Sequence, residues 1–569
     1  MTSQGNIYDV VVVGSGAAGM TAALAARRKG LEVLVLEKEP TFGGTSSRSG
    51  GWLWIPCNPL AVNAGIADDL EAARTYLRNE AGNHFNAEKV DAFLEHGPAM
   101  VEFLQKETAV EFFLSAEFPD YHPDTPGGVT GGRSIGTEPF DARGLGPDVA
   151  RLSRPLRETT FLGMSIGSGT EIRHFFNVTR SIRSALYVSR VLARYGRDIL
   201  LHKRGMRLTN GNALIARLAK TAFELGIPLW TSSPATGLLK NDQGRVCGVV
   251  VDNAGKIRSI EARRGVVLAS GGFSHDAARA RALYPHLGNG DHVSPTVAGA
   301  AGDGLCLGEG AGGNVDNALA NPAAWAPVSR VRRRDGSTGL FPHFVDRPKP
   351  GVIAVTRNAR RFVNEANSYH DFIVALLSEC RGTGENAAYL ICDHATIRRY
   401  GLGFAKPFPV PIGHHVRSGY LLRGRTIAEL AQKAGLDPQR LGQTIARYND
   451  YAQKGEDPDF GKGSTAYNRF LGDPGHQPNP CLAPVEHGPF YAVKVVPADI
   501  GTYAGLKTDR WARVLDAGDQ PILGLYAAGN DSASIMGGNY PGGGITLGPG
   551  MTFGYVAALH MAKARDPTG

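Results

Sequence analysis

Cysteine is scarce and scattered. Cys57, Cys247, Cys306, Cys380, Cys392 and Cys481 are the only six in 569 residues, and no two form a C-x-x-C pair. That spacing excludes an iron–sulfur ligand run, a C-x-x-C-H haem attachment and a disulfide-stapled scaffold, and the six read as reduced core thiols with no metal site. No uninterrupted apolar stretch reaches the roughly 18 residues that span a bilayer. The opening MTSQGNIYD lacks the basic and then apolar organisation of a signal peptide, so the cytoplasm is the expected compartment. Excess charge of one sign is also small: 61 basic against 53 acidic side chains give +8, which for this length implies no nucleic-acid partner. The run Arg330 to Arg334, RVRRR, reads as a solvated loop. What remains is a chain 42% hydrophobic and long enough to bury several cores.

Glycine is abundant, and its placement carries information. Asp9 to Glu37 reads as strand, turn, helix and second strand. Val10 to Val13 suits a buried parallel strand, and Gly14, Gly16 and Gly19 supply G-x-G-x-x-G, with Ala17 and Ala18 opening an alanine-rich helix. The first glycine permits the tight turn, the second lets the main chain approach a pyrophosphate, and the third lets helix lie close to strand. The helix N-terminus then faces phosphate. Glu37 ends the second strand, where a carboxylate accepts hydrogen bonds from an unphosphorylated ribose. Lys38 follows it, and Gly44, Thr45, Ser46, Ser49, Gly50 and Gly51 continue a polar backbone along an extended dinucleotide. Nicotinamide sites rarely need that continuation, so the pattern favours FAD.

Further pieces lie downstream. Ala235, ahead of a strand at Val246 to Val251, is a candidate backbone contact for adenine. Gly271 follows the strand Gly265 to Ala269, which returns the chain to the nucleotide-binding sheet. Gly524 to Asn530 forms a strand ending in a turn, placing Gly529 and Asn530 for the ribityl chain or pyrophosphate. Gly542 to Gly550, through Ile545 and Leu547, then opens a helix whose N-terminus suits negative charge on the pyrimidine side of an isoalloxazine. No histidine or cysteine is marked for a covalent link, so the FAD is expected to be noncovalent.

One flavin site drawing on both ends of the chain requires a discontinuous domain. The expected fold is α/β: a Rossmann-like FAD-binding domain over 1–285 and 490–569, with an inserted α+β substrate domain over 286–489. Gly211 to Leu225, Ile427 to Ala434 and Pro438 to Lys454 carry helical patterns, whereas Pro119 to Gly132 reads as loop. Leu152 to Arg204 mixes arginines with Phe, Leu, Ile and Val. A solvent-facing helix pair accounts for it, and peripheral contact with a membrane surface is the alternative.

Three segments carry a family resemblance: the N-terminal flavin motif, Pro350 through Asp371 (PGVIAVTRNARRFVNEANSYHD) and Ala527 through Gly554 (AAGNDSASIMGGNYPGGGITLGPGMTFG). Over nearly its whole length the chain resembles the fumarate reductase and 3-ketosteroid dehydrogenase superfamily of flavoproteins, and within it the 3-ketosteroid Δ1-dehydrogenases. It departs from the compact members in a longer, more basic stretch over residues 150–205. Fumarate reductase-like members use arginines at two positions to bind a dicarboxylate and donate a proton, and the matching places here hold Tyr369 and Tyr540. A guanidinium is a permanent cation suited to carboxylates, whereas a phenol suits a ketone and exchanges a proton.

The resemblance implies a mechanism. The Tyr540 hydroxyl and the Gly544 amide would converge on the C3 oxygen as negative charge develops there. Tyr369 would take the C2 proton and flavin N5 the C1 hydride, leaving a C1–C2 double bond in an apolar ketone, a 3-ketosteroid. An unperturbed phenol has a pKa of about 10, so Tyr369 needs support. The family uses a second tyrosine, matched by Tyr121. His122 and His370 are candidate relay partners, with a surface or structural histidine as the preferred reading of each. A C4–C5 ketosteroid dehydrogenase, an ene-reductase, a flavin hydroxylase and a non-catalytic flavoprotein remain as alternatives. Reoxidation needs an external acceptor, with a quinone as the candidate, because no second nucleotide fingerprint is present for a nicotinamide.

Overall fold

The apolar run at the start of the chain becomes the hub of a sheet. The computed structural model describes residues 7–287, 292–333 and 335–563. Ile7–Val13 pairs in parallel with Val33–Leu36 on one side and Lys256–Leu268 on the other. Leu229–Trp230 adds a parallel strand beyond Val33–Leu36, and Pro521–Ala527, from the other end of the chain, adds one beyond Lys256–Leu268. Arg513–Leu515 closes that edge antiparallel, while Val246–Asn253 and Ala235–Lys240 extend Lys256–Leu268 as an antiparallel arm, making eight strands. Val10, Val11 and Val12 are fully buried, as a parallel sheet covered on both faces requires.

Small residues set how closely helices approach this sheet. Ala17–Arg28 and Leu547–Lys563, from opposite ends of the sequence, pack against each other. A Cβ at Gly554 would stand 2.4 Å from the Ala18 carbonyl oxygen, so a larger residue there forces the helices apart. The expected helix at Gly211 to Leu225 forms as Asn210–Glu224, and those at Ile427–Ala434 and Pro438–Lys454 form with the expected bounds. No strand or helix forms between Pro119 and Gly132.

A second, antiparallel sheet of six strands occupies the middle of the chain. Its path is Thr338–Pro342, Ala323–Arg332, Phe490–Thr502, Ala388–Cys392 and Ile353–Thr356, with Leu422–Gly424 on Phe490–Thr502. The chain therefore re-enters the first sheet only at Arg513, after Phe490–Thr502 has run through the second. The RVRRR run is not the expected loop. Arg330 and Arg332 sit in a strand with their side chains exposed while Val331 points inward, so the arginines are the outer face of a period-two pattern; Arg334 lies outside the described residues. Nor are all six thiols core residues: Cys380, Cys392 and Cys481 are buried, whereas Cys306 is exposed.

The Leu152 to Arg204 stretch contains the helices Thr170–Phe176 and Ile182–His202. The longer one turns apolar side chains outward: Ile182 is 83% and Leu200 86% exposed, with Leu186 and Leu201 beside them. Among the described residues no helix is long and apolar enough to cross a membrane.

Candidate active site

The C-terminal ends of the central parallel strands open into a groove, the usual ligand position of a doubly wound sheet. Gly14, Gly16, Ala17, Ala18, Glu37, Lys38, Gly44, Thr45, Ser46, Ser49, Ala235, Gly271, Gly529, Asn530 and Leu547 line it. Gly19, Gly50, Gly51 and Ile545 do not. A Cβ on Gly19 would meet the Gly14 carbonyl oxygen at 2.2 Å and one on Gly51 the Asn210 carbonyl carbon at 2.4 Å, so both glycines serve close backbone packing. Ile545 is buried beside Tyr503 and Phe553 in a neighbouring cavity, and the exposed Gly50 carbonyl accepts from Ser168 Oγ at 3.5 Å. Distance in sequence concealed other lining residues, among them Asp303 and Ile500, which lie outside the flavin motifs.

The groove fits an FAD. Gly44 has φ +50° and nothing within 4 Å of where a Cβ would stand, while a Cβ on Gly16 would meet only Ser46 Oγ at 3.4 Å, leaving room along the turn. The N-termini of Ala17–Arg28 and Leu547–Lys563 reach the same space, two partial positive charges suited to a pyrophosphate and a flavin ring. Glu37 accepts from Ser15 Oγ at 2.5 Å; burial pushes its carboxyl up, and hydrogen bonds from Ser15 and Glu39 pull it partly back. Lys38 pairs with Asp303 at 2.5 Å. The Asp531 carboxylate takes the amides of Ser270 at 2.5 Å and Gly272 at 2.9 Å, tying the Gly529–Asn530 turn to Gly271 across the groove.

Thr546 and Leu547 line this groove, and the segment just before them holds the sequence candidates Tyr540 and Gly544. Tyr121, Tyr369 and Tyr540 are brought together from three remote segments. The Tyr121 and Tyr369 hydroxyls are 3.3 Å apart, Tyr121 stacks on Tyr540 with centroids 5.6 Å apart, and Tyr369 meets Tyr540 edge-on at 4.9 Å. A fourth phenol, Tyr467, lies 4.4 Å from Tyr121, ring to ring. Nothing around Tyr467 in the sequence announces it; only the fold delivers it here. Burial pushes all four phenols up, and hydrogen bonds from Tyr369 and Thr546 draw Tyr540 partly back. Gly544 has φ +104°, and a Cβ there would lie 2.5 Å from the Trp52 carbonyl. Its amide donates to no group among the described residues.

Local bonds fix each phenol. Tyr369 is the first residue of the helix Tyr369–Glu379, capped by Ser368 Oγ accepting the Asp371 amide at 3.1 Å. Ahead of it, Arg347 donates to the carbonyls of Glu365 at 2.8 Å and Asn367 at 3.2 Å. Arg347 is fully buried, and one terminal nitrogen has no partner among the described residues; its charge draws Tyr467 back from the rise that burial causes. The Pro541 carbonyl accepts from the Tyr121 amide at 2.8 Å and from the Tyr76 hydroxyl at 2.6 Å, coupling Tyr121 to the Tyr540 segment. His122 bonds Glu80 through Nδ1 and Asp371 through Nε2, each at 2.7 Å. Burial works against its charge, but the bonds to Asp371 and Glu80 win and raise the imidazole to about 10. On the other side, Asp120 accepts from Trp54 Nε1 at 2.7 Å and from Arg133 at 2.9 Å. His370 instead accepts the Trp325 amide at 3.1 Å, and burial lowers it to about 4.

Residues 9–547 match the FAD binding domain family. The chain belongs to that family of flavoproteins. Among its relatives, a 4-oxocyclohex-2-ene-1-carboxylate 5-dehydrogenase of Sinomonas cyclohexanicum is 43% identical, covering 98% of this chain and 94% of the relative. A 3-oxosteroid 1-dehydrogenase of Mycolicibacterium smegmatis is 38% identical over 98% of both. The crystal structure of 3-ketosteroid delta1-dehydrogenase from Sterolibacterium denitrificans, in complex with 1,4-androstadiene-3,17-dione, matches with a TM-score of 0.91 at 36% identity, covering 98% of this chain and 99% of that one. The α/β flavoprotein fold and the resemblance to the ketosteroid dehydrogenases are thereby established, and this family member is an FAD-dependent oxidoreductase.

Proposed function

We propose that the protein removes two hydrogens from adjacent carbons beside a ring ketone, at C1–C2 of a 3-ketosteroid. The observation that carries this reading is the buried cluster of Tyr121, Tyr369 and Tyr540 next to the unused Gly544 amide. The Tyr540 hydroxyl and Gly544 N–H hold the carbonyl oxygen and strengthen their hold as it becomes an enolate oxygen. That acidifies the C2 proton, which passes to Tyr369. Because burial favours the neutral phenol, Tyr369 becomes a base only when its own proton leaves, and the Tyr121 hydroxyl at 3.3 Å is the exit. FAD, when bound, supplies the acceptor for the C1 hydride.

A second reading keeps the chemistry and changes the substrate. The 43% identical relative is named for a monocyclic oxo acid, and that identity exceeds the 38% of the steroid relative. Anaerobic addition of 4-androstene-3,17-dione and, in parallel, of 4-oxocyclohex-2-ene-1-carboxylate tests both. Flavin bleaching by the steroid, with the new double bond located at C1–C2 by NMR, is the expected result. Bleaching by the monocycle alone replaces the steroid with the smaller ketone. No bleaching with either overturns the dehydrogenase mechanism.

The same reading divides the chain into a nucleotide-binding unit, 1–285 with the C-terminal part from 490, around a substrate unit at 286–489. The strand Phe490–Thr502 hydrogen-bonds with the substrate unit's sheet and so spans the boundary. Electrons leave to an external acceptor of the quinone class. The outward Ile182, Leu186, Leu200 and Leu201, interspersed with arginines, support peripheral contact with a membrane surface, where an apolar acceptor and an apolar ketone both partition. Sedimentation with phospholipid vesicles tests this, with Leu200→Glu/Leu201→Glu expected to stay in the supernatant.

A further inference from the structure

The stretch from Leu152 to Arg204 holds more positive charge than its carboxylates neutralise. Between the 154–165 loop and the helix Ile182–His202 lies a cavity of ≈ 280 Å³, lined by Arg154, Arg194, Lys203, Arg204 and Arg207 against one carboxylate, Asp198. Arg207 is satisfied by Glu171 at 3.0 Å and Arg194 by Asp141 at 3.2 Å. Arg154, Lys203 and Arg204 have no carboxylate partner among the described residues. Arg204 donates one terminal nitrogen to the Val149 carbonyl at 2.6 Å, while the other is buried with no acceptor. Burial and the neighbouring Arg154 lower its pKa to about 10. The same three cations also line a second cavity of ≈ 440 Å³ on their other side, where Arg143 and His202 join them.

A guanidinium N–H withdrawn from water, without an acceptor and beside like charge, is unfavourable by itself, and a bound anion removes that cost. Arginine forks match the paired oxygens of a phosphate, and a compact lysine adds a point charge. Three unpaired cations exceed what one carboxylate neutralises. Around the mouth the surface turns apolar: Leu162, which lines the cavity, is 81% exposed, and Leu200 and Leu201 follow the lining Ile199.

We propose that this cleft is a phosphate-binding site formed by Arg154, Lys203 and Arg204, and that its occupant is the headgroup of an anionic phospholipid whose acyl chains cover the adjoining leucines. The site is independent of the dehydrogenase reading, since none of its residues lines the flavin groove or touches the tyrosine cluster.

The test uses the full-length, FAD-loaded protein and the variants Arg154→Gln, Arg204→Gln and their combination. Glycerol 3-phosphate is titrated by calorimetry as the soluble probe, and vesicles of phosphatidylcholine alone or mixed with phosphatidylglycerol are sedimented as the bilayer probe. Each lost guanidinium is expected to weaken binding to the phosphatidylglycerol vesicles roughly fivefold, with flavin content and flavin reduction by the ketone unchanged. Losses confined to the vesicles identify the lipid as the source of the phosphate; equal losses with glycerol 3-phosphate identify free phosphate esters as ligands of the same site. Binding of both probes that is indifferent to the variants overturns the proposal. Should Arg204→Gln fail to retain flavin, Arg154→Gln decides alone, because Arg154 makes no hydrogen bond among the described residues whose loss would unfold the loop.

Discussion

The hydroxyls of Tyr121 and Tyr369 stand 3.3 Å apart although 248 positions separate them in the chain. Two bonds to one imidazole bring the segments together: His122 follows Tyr121 directly, and the Asp371 that it bonds lies two residues after Tyr369. Glu80 holds the other ring nitrogen, so an imidazolium sits between two carboxylates and locks a loop onto the start of a helix. Its charge serves geometry. The proposed base and its proposed proton outlet are thereby held at hydrogen-bonding distance.

His122→Gln is therefore expected to destabilise the protein, and more in acid than in alkali. The folded imidazole is raised to about 10 from an ordinary value near 6.5. A raised folded pKa contributes stability that is fully present below the unfolded value and is lost as pH rises through the folded one. The gap in melting temperature between wild type and variant should be widest at or below pH 6.5 and close toward pH 10. A gap that does not change with pH removes the imidazolium from the explanation.

Tyr540→Phe should lower the rate of flavin reduction far more than it weakens ketone binding. In the proposed mechanism the hydroxyl bonds a carbonyl in the ground state and an enolate oxygen in the transition state, and only the difference appears in turnover. Loss of one such donor costs on the order of 3 kcal/mol in the barrier, about a hundredfold in rate. Stopped-flow reduction over a range of ketone concentrations separates the two, and an unchanged limiting rate dismisses Tyr540 from the chemistry.

Denatured protein should release FAD, not FMN, into the supernatant, as chromatography of the yellow fraction will show. Gly19→Val should lose most of it, although Gly19 does not line the groove. A Cβ there meets the Gly14 carbonyl oxygen at 2.2 Å, so the helix has to lift off the turn that receives the pyrophosphate. Full flavin occupancy in this variant contradicts the packing role assigned to the third glycine.

Much of the flavin groove was legible because it is made of backbone: Gly14, Gly16 and Gly44 act through what they lack, and a strand–turn–helix rhythm fixes where they fall. Gly51 looked alike and serves packing on Asn210, since a glycine tolerated next to a ligand and one tolerated next to a carbonyl read identically. Tyr369, Tyr540 and Tyr121 were singled out through the family resemblance, and the fold brings the three together. Tyr467 and Arg347 were not, because they act by tertiary proximity and no period or spacing marks them. The second sheet was equally silent: four of its six strands are five residues or shorter, and the longest, Phe490–Thr502, sits where the chain was expected to be already back in the first. RVRRR misled because charge density suggested a loop, when an outward arginine on every second residue is equally a strand edge.

Tyr369→Phe isolates proton transfer. Phenylalanine keeps the ring that packs edge-on against Tyr540 at 4.9 Å and against Phe344 at 4.7 Å, so the pocket should keep its shape, its FAD and its affinity for the ketone. It removes the hydroxyl that reaches Tyr121 and that the proposed mechanism makes the acceptor of the C2 proton. The variant should bind the ketone yet fail to bleach at an appreciable rate. In the wild type, burial raises the Tyr369 phenol well above its ordinary value. Its basic form is thus a small fraction at neutral pH and grows with alkalinity, so the reductive rate should climb with pH and show no bend near pH 10, where the rate would begin to level off for an exposed phenol. The climb belongs to the reductive half alone and should vanish in the variant. Rapid bleaching by Tyr369→Phe with normal product, or the same pH rise without the hydroxyl, would show that another group takes the proton and that Tyr369 only walls the pocket.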